Sequence, residues 1–127
     1  MNPESALRQL AGLRVVIGLA ALIAPRLAGK LFGLDPEANP QSSYLARLFG
    51  VRDIALGVGA LSTTGEARRK WVLIGIGVDA TDAVSAGLAG RDGSVSGFTA
   101  TKLAAPAVAA VALGALAHGA GDEPAVV

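Results

Sequence analysis

The sequence predicts an all-α fold: a single membrane domain, residues 1–127, built as an antiparallel bundle of four transmembrane helices. Three observations predict it. Four apolar stretches of roughly 18 to 22 residues, close to the length that spans a bilayer, account for most of the chain. The composition departs from that of a soluble domain, with 52% of the 127 residues hydrophobic and 17% charged, against about 45 to 50% and about 25% in soluble domains, and a mean hydropathy of +0.53. Tyr44, Trp71 and Phe98 open the second, third and fourth stretches, where aromatic rings favour the headgroup region of a membrane.

The first helix is expected over residues 7–24, stopped by Pro25, whose ring and missing N–H discourage continuation. Arg14 interrupts the apolar run and Pro25 is a poor cleavage neighbour, so this segment reads as a retained span rather than a signal peptide. Residues 25–42 read as an interfacial turn carrying Arg26, Lys30, Leu31 and Phe32, with Asp35, Pro36, Asn39 and Pro40 breaking any helix. Ser42 or Ser43 is the expected cap of the second helix, residues 43–61. The third, residues 71–90, follows the basic cluster Arg68, Arg69 and Lys70, and the fourth, residues 98–119, follows the turn Arg91–Asp92–Gly93. The tail beyond Gly119 reads as frayed. Cations Arg8, Arg68, Arg69 and Lys70 on one side, against Arg26, Lys30 and Arg91 on the other, lean toward cytoplasmic N- and C-termini in a multi-pass protein of the bacterial inner membrane.

Several function classes fall away at once. The chain has no cysteine, so thiol redox chemistry, disulfides and thiolate metal sites are excluded. Its one histidine, His118, is isolated, and a net charge of +1 gives no footprint for nucleic acid. No cofactor motif, metal set or catalytic constellation stands out. The expected partners are the lipid bilayer and either other membrane subunits or a second copy of the chain.

The informative residues are the charges inside the expected spans: Arg14, Arg47, Arg52, Asp53, Asp79, Asp82 and Lys102. Each would cost about 2.5 to 3.5 kcal/mol at the centre of a span facing lipid, so they must face protein, water or each other. At about 1.5 Å per residue, Arg14, Arg52, Asp53, Asp79 and Asp82 all lie about 12 to 17 Å from one membrane face. At about 100° per residue, Asp79 and Asp82 share a face with Gly75, Ala86 and Gly90, and Arg14 shares one with Ala11, Gly18 and Ala21, while Arg52 points about 100° away from Asp53. The expected pairing sets Arg14 and Arg52 against Asp79 or Asp82, with Asp53 beside Gly50 and Gly57. Arg47 and Lys102 form a second layer about 6 Å from the same face. Pro106, on the face of Lys102, predicts a kink that exposes a carbonyl toward the bundle. Four cations against three carboxylates leave a spare positive charge, which would suit an anionic ligand.

Two readings of this layer follow: a buried ion-pair network that fixes helix neighbours, or a polar cavity or relay for a proton, ion or small anion. The first makes the protein a non-enzymatic scaffold or accessory subunit of a membrane complex; the second makes it a small transporter or channel, dimeric or not. A membrane enzyme ranks behind both.

The run Arg47-Leu-Phe-Gly-Val-Arg-Asp-Ile-Ala-Leu-Gly57, with the earlier Arg14 to Gly18 and Pro25 spacing and the later Asp79 and Asp82, resembles the DUF4267 group of small four-helix membrane proteins of bacteria and fungi. That group is similar in turn to DoxX-like membrane proteins. The resemblance covers most of residues 10–115 and implies a four-helix membrane bundle. It implies no quinone or thiol site on any residue here.

Overall fold

A computed structural model describes residues 1–127. The chain is entirely helical, with no strand: α1 (Pro3–Ile23), α2 (Pro25–Leu31), α3 (Ser42–Ser62), α4 (Gly65–Asp92) and α5 (Gly97–Ala117), the last continued by one 3-10 turn, His118–Ala120.

Local chemistry moves several boundaries away from those the apolar runs predict. Helix α1 starts four residues early because Asn2 caps it, its side-chain oxygen accepting from the Ser5 N–H at 2.8 Å, with Pro3 in the first turn. The expected turn after Pro25 is a seven-residue helix, because a proline is disfavoured inside a helix but suited to its first position. Gly33, at φ +82°, ends α2 with the paired bonds Leu34 N–H to Gly29 O (2.9 Å) and Gly33 N–H to Lys30 O (3.0 Å). Beyond it the Asp35 carboxylate accepts the Glu37 and Ala38 N–H groups, and Arg26 pairs with Glu37 at 2.6 Å. The Arg26 hydrogen bond, and then its charge, hold the Glu37 carboxyl below the usual carboxylate range.

Neither Ser42 nor Ser43 caps α3; its N-cap is Gln41, with no side-chain bond. Helix α4 takes in the basic cluster and runs for 28 residues, about 42 Å at the standard rise, longer than a hydrocarbon core of about 30 Å. Trp71 therefore does not open it. The indole is half-buried against Gly59 of α3, whereas Tyr44 and Phe98 sit exposed in the first turns of their helices. Helix α5 is continuous through Pro106, which is exposed rather than turned into the bundle.

The long helices form a four-membered ring. Helix α1 packs against α3 and α5, and α4 against α5 and α3, which leaves α1 and α4 on a diagonal. Small residues set the closest seam. A Cβ on Gly18 would lie 2.6 Å from the Gly50 carbonyl oxygen and 2.8 Å from the Ile54 side chain, so the α1 and α3 backbones touch there because glycine occupies both positions.

The polarity of the fold is inverted relative to a water-soluble bundle. Val16, Ile23, Leu73 and Val108 are more than half exposed, while Arg14, Asp53, Arg68 and Asp79 are buried. Three segments, Pro3–Ile23, Gly65–Asp92 and Gly97–Ala120, are long and apolar enough to cross a membrane. This points to a membrane protein. The fourth expected span, α3, has the length, 21 residues, but carries Arg47, Arg52 and Asp53.

Gly18→Ala should destabilise the detergent-solubilised protein by about 1 to 3 kcal/mol, because the added methyl meets backbone that cannot yield. Gly87→Ala, where a Cβ meets nothing within 4 Å, should stay within about 0.5 kcal/mol of the native chain. Thermal unfolding of both variants checks this; equal effects would mean the α1–α3 contact is not as close as described.

Candidate functional site: a buried chain of alternating charges

The site is assembled from the small-residue faces of α1, α3 and α4. Arg14 lies on the buried stripe Ala11, Arg14, Gly18 and Ala21. Its guanidinium crosses the diagonal to α4 and grips Asp79 with both terminal nitrogens, Nη1 donating to Oδ1 at 3.1 Å and Nη2 to Oδ2. Gly75, one turn before Asp79, gives it room: a Cβ there would stand 3.0 Å from the guanidinium nitrogen. A planar fork with five donors suits this bidentate reach, which a lysine could not reproduce.

On α3, Arg52 makes a second fork, Nη1 to Asp82 Oδ1 at 3.2 Å and Nη2 to Oδ2 at 2.7 Å, with the Phe49 ring 4.7 Å from its guanidinium carbon. Asp53 stands between the two arginines, its Oδ1 at 3.6 Å from Arg14 and at 3.6 Å from Arg52. The order is therefore Asp79, Arg14, Asp53, Arg52, Asp82, with the sign alternating at every step. Asp53 Oδ1 and Arg52 Nε are buried without a hydrogen-bond partner, so Asp53 is held by charge alone.

The two carboxylates on α4, three residues apart, are thus claimed by arginines from different helices. Beside Arg14 lies a cavity of about 10 Å3, seven of whose nine lining residues are hydrophobic. It is barely the size of one water.

Five of the seven charged residues singled out from sequence come together in this way, and two do not. Arg47 is exposed and donates from Nε to the Leu22 carbonyl at 3.3 Å, capping the last turn of α1. Lys102 makes no ion pair and lies 5.5 Å from the Phe98 ring centre. The spare positive charge expected for the layer is accordingly absent: two guanidiniums face three carboxylates.

Sequence reading missed a second buried cation. Arg68, 0% exposed, donates to four main-chain carbonyls: Ala60 (3.0 Å), Ala120 (3.1 Å), Glu123 (2.7 Å) and Pro124 (3.1 Å). The first two lie at the C-terminal ends of α3 and of the α5 extension, where helix dipoles concentrate negative charge, so the guanidinium is compensated without a carboxylate. The tail expected to fray is tied down by this cation, by Arg69 paired with Asp122 at 2.8 Å, and by Val126 N–H donating to Leu61 O at 2.8 Å. One signal existed: neither α3 nor α5 carries a basic residue in its last turn, so their orphan carbonyls need a donor from elsewhere.

The fold and this site define a class: a small all-helical membrane-type protein whose interior is held by ion pairs. Residues 11–117 match the family described as "Domain of unknown function (DUF4267)", and the chain belongs to that family. The match does not carry the wider likeness to DoxX-like proteins. No curated protein and no solved structure matches the chain.

Arg14→Ala and Asp79→Ala should each cost about 3 to 5 kcal/mol, since each strands a buried charge, and the double variant should cost less than either. Asp53→Asn breaks no hydrogen bond and leaves two guanidiniums with two carboxylates, so it should stay within about 1 kcal/mol. Thermal unfolding in detergent reads all four; additive losses would show that Arg14 and Asp79 do not act as a pair. Arg68→Ala, which leaves four carbonyls without their donor, should cost about 3 kcal/mol or more and expose residues 121–127 to carboxypeptidase; a tail that stays protected would contradict the clamp.

Proposed function

We propose that the chain is a four-pass protein of the bacterial plasma membrane, with α1, α3, α4 and α5 as its spans, and that it serves as a non-enzymatic scaffold or accessory subunit. The observation that carries this reading is the Arg14–Asp79 fork across the bundle diagonal, with both residues more than nine-tenths buried and only a water-sized cavity alongside. A charged pair so closed fixes helix neighbours and leaves no path between Arg14 and Asp79. The crossing of α3 is supported by the pairing of its charges: Arg52 and Asp53 find opposite charges within the bundle and Arg47 sits in the second turn, near the helix end. An even number of crossings agrees with the chain ends, which meet at one end of the bundle, where a Cβ on Gly119 would contact Pro3 at 3.1 Å.

The same end carries Arg8, Arg69 and Lys70. Arg68 joins them in the orientation count although it is buried in the folded protein, because it enters the membrane before the tail that covers it has been made. Four cations against Arg26, Lys30 and Arg91 support a cytoplasmic side for both termini.

Cysteines introduced at Asn39, Ser62 and Ser94 report the topology. Ser62 should label from the cytoplasm, and Asn39 and Ser94 from the opposite side; labelling of Asn39 and Ser62 from one side would remove α3 from the spans. For the role itself, gentle purification from native membranes should recover the protein with a stoichiometric membrane partner, and proteoliposomes of the pure protein should pass protons and small anions no faster than empty ones. A flux abolished by Asp53→Asn, which keeps the fold, would replace the scaffold with a transporter.

A further inference from the structure

We propose that two copies of this chain associate through the groove between α3 and α4, closing their Arg52–Asp82 ion pairs into one ring of four alternating charges. The proposal rests on the reading that α3 and α4 cross the membrane. The groove, about 450 Å3, is lined by Arg52, Ile74, Gly77, Val78, Thr81 and Asp82. It lies on the least closely packed of the four seams between the long helices. At its polar edge the Arg52 and Asp82 side chains are 35% and 33% exposed, whereas Arg14, Asp53 and Asp79, at the same depth, are 7 to 8% exposed. The chain of charges is therefore closed at its Asp79 end and open at its Asp82 end.

An ion pair one-third open at mid-span faces hydrocarbon unless something polar covers it. Acyl tails offer no polar group, and headgroups lie about 15 Å away, half the thickness of the hydrocarbon core. A second copy supplies what is missing by symmetry alone. A two-fold axis along the membrane normal keeps every residue at its own depth and reverses directions in the membrane plane. The Arg52-to-Asp82 vector of one protomer then runs antiparallel to that of its partner, and each cation meets the partner's carboxylate with no further adjustment. The groove floor permits the approach: a Cβ on Gly77 would meet nothing within 4 Å, and the Thr81 hydroxyl is already satisfied by the Gly77 carbonyl at 2.8 Å.

Charge exchange tests this directly. Two differently tagged full-length chains are co-expressed and co-purified in three pairings: native with native, the doubly exchanged chain (Arg52→Asp with Asp82→Arg) with itself, and native with exchanged. The ring alternates in the first two and sets like charge against like in the third, so the mixed pair should co-purify at least about tenfold less well than either matched pair. In parallel, with a membrane-permeant thiol oxidant added, Thr81→Cys should form a disulfide-linked dimer in the membrane, while Val108→Cys on the outer face of α5 should not; the native chain has no cysteine to compete. Equal recovery of all three pairings would place any association elsewhere. A monomeric native chain with unlinked Thr81→Cys would leave the groove to lipid or water and overturn the proposal. If the exchanged chain does not fold, the two cysteine variants decide alone. Loss of the dimer with intact labelling at Asn39, Ser62 and Ser94 would reject the dimer and leave the four spans standing.

Discussion

A guanidinium or carboxylate in the middle of an apolar helix must find its opposite, and in this protein that requirement decides where the helices stand. Arg14 is the pivot. From α1 it reaches across the bundle to Asp79 on α4 and lies beside Asp53 on α3, so one side chain ties together three helices, two of which stand on the bundle diagonal. The local sequence serves that reach: glycine at 18 and 50 brings the α1 and α3 backbones into contact, and glycine at 75 clears the space the guanidinium occupies. Removing either end of such a pair leaves a charge in low dielectric with nothing to neutralise it.

The ends of the bundle solve a different problem, the unpaired carbonyls of helix C-termini. Arg47 answers it for α1 through the Leu22 carbonyl, and Arg68 answers it for α3 and the α5 extension together. Arg68 also takes the Glu123 and Pro124 carbonyls, which turns the tail into a strap across the end of α3 and the start of α4. Both cations are compensated by peptide dipoles rather than by carboxylates, which leaves Asp53, Asp79 and Asp82 to Arg14 and Arg52.

Much of this was legible in the sequence. Apolar run lengths located the four long helices, and the rise and turn of an α-helix placed Arg14, Arg52, Asp53, Asp79 and Asp82 at one depth, all but Arg52 on small-residue faces. Features that depend on hydrogen bonds to main chain were not legible, because a carbonyl has no signature in a sequence. Arg68 looked like one member of the basic cluster that precedes a span, yet its partners are carbonyls contributed by residues as far away as Pro124. Helix α2 was hidden because Pro25 ends one helix and begins the next. The charge balance was misjudged because Arg47 and Lys102, though close in depth, point to other surroundings.

The ion pairs also choose among bundles that packing alone would not distinguish. The fully buried side chains of any size are Arg68, Leu7 and Pro36, so there is little jigsaw of large apolar groups to select one helix arrangement over its mirror image. In both arrangements α1 would neighbour α3 and α5, and α1 and α4 would share the diagonal; they differ in which flank of α3 faces α4. Successive residues turn by about 100°, so with Asp53 directed inward, residue 52 faces one flank and residue 54 the other. Arg52 finds Asp82 in the observed hand. In the opposite hand Ile54 would face α4, and Arg52 would be turned toward α1, where Ile54 now packs on Gly18, with Asp82 left unpaired. The order Arg-Asp-Ile at positions 52 to 54, rather than the number of charges, thus encodes the handedness of the bundle.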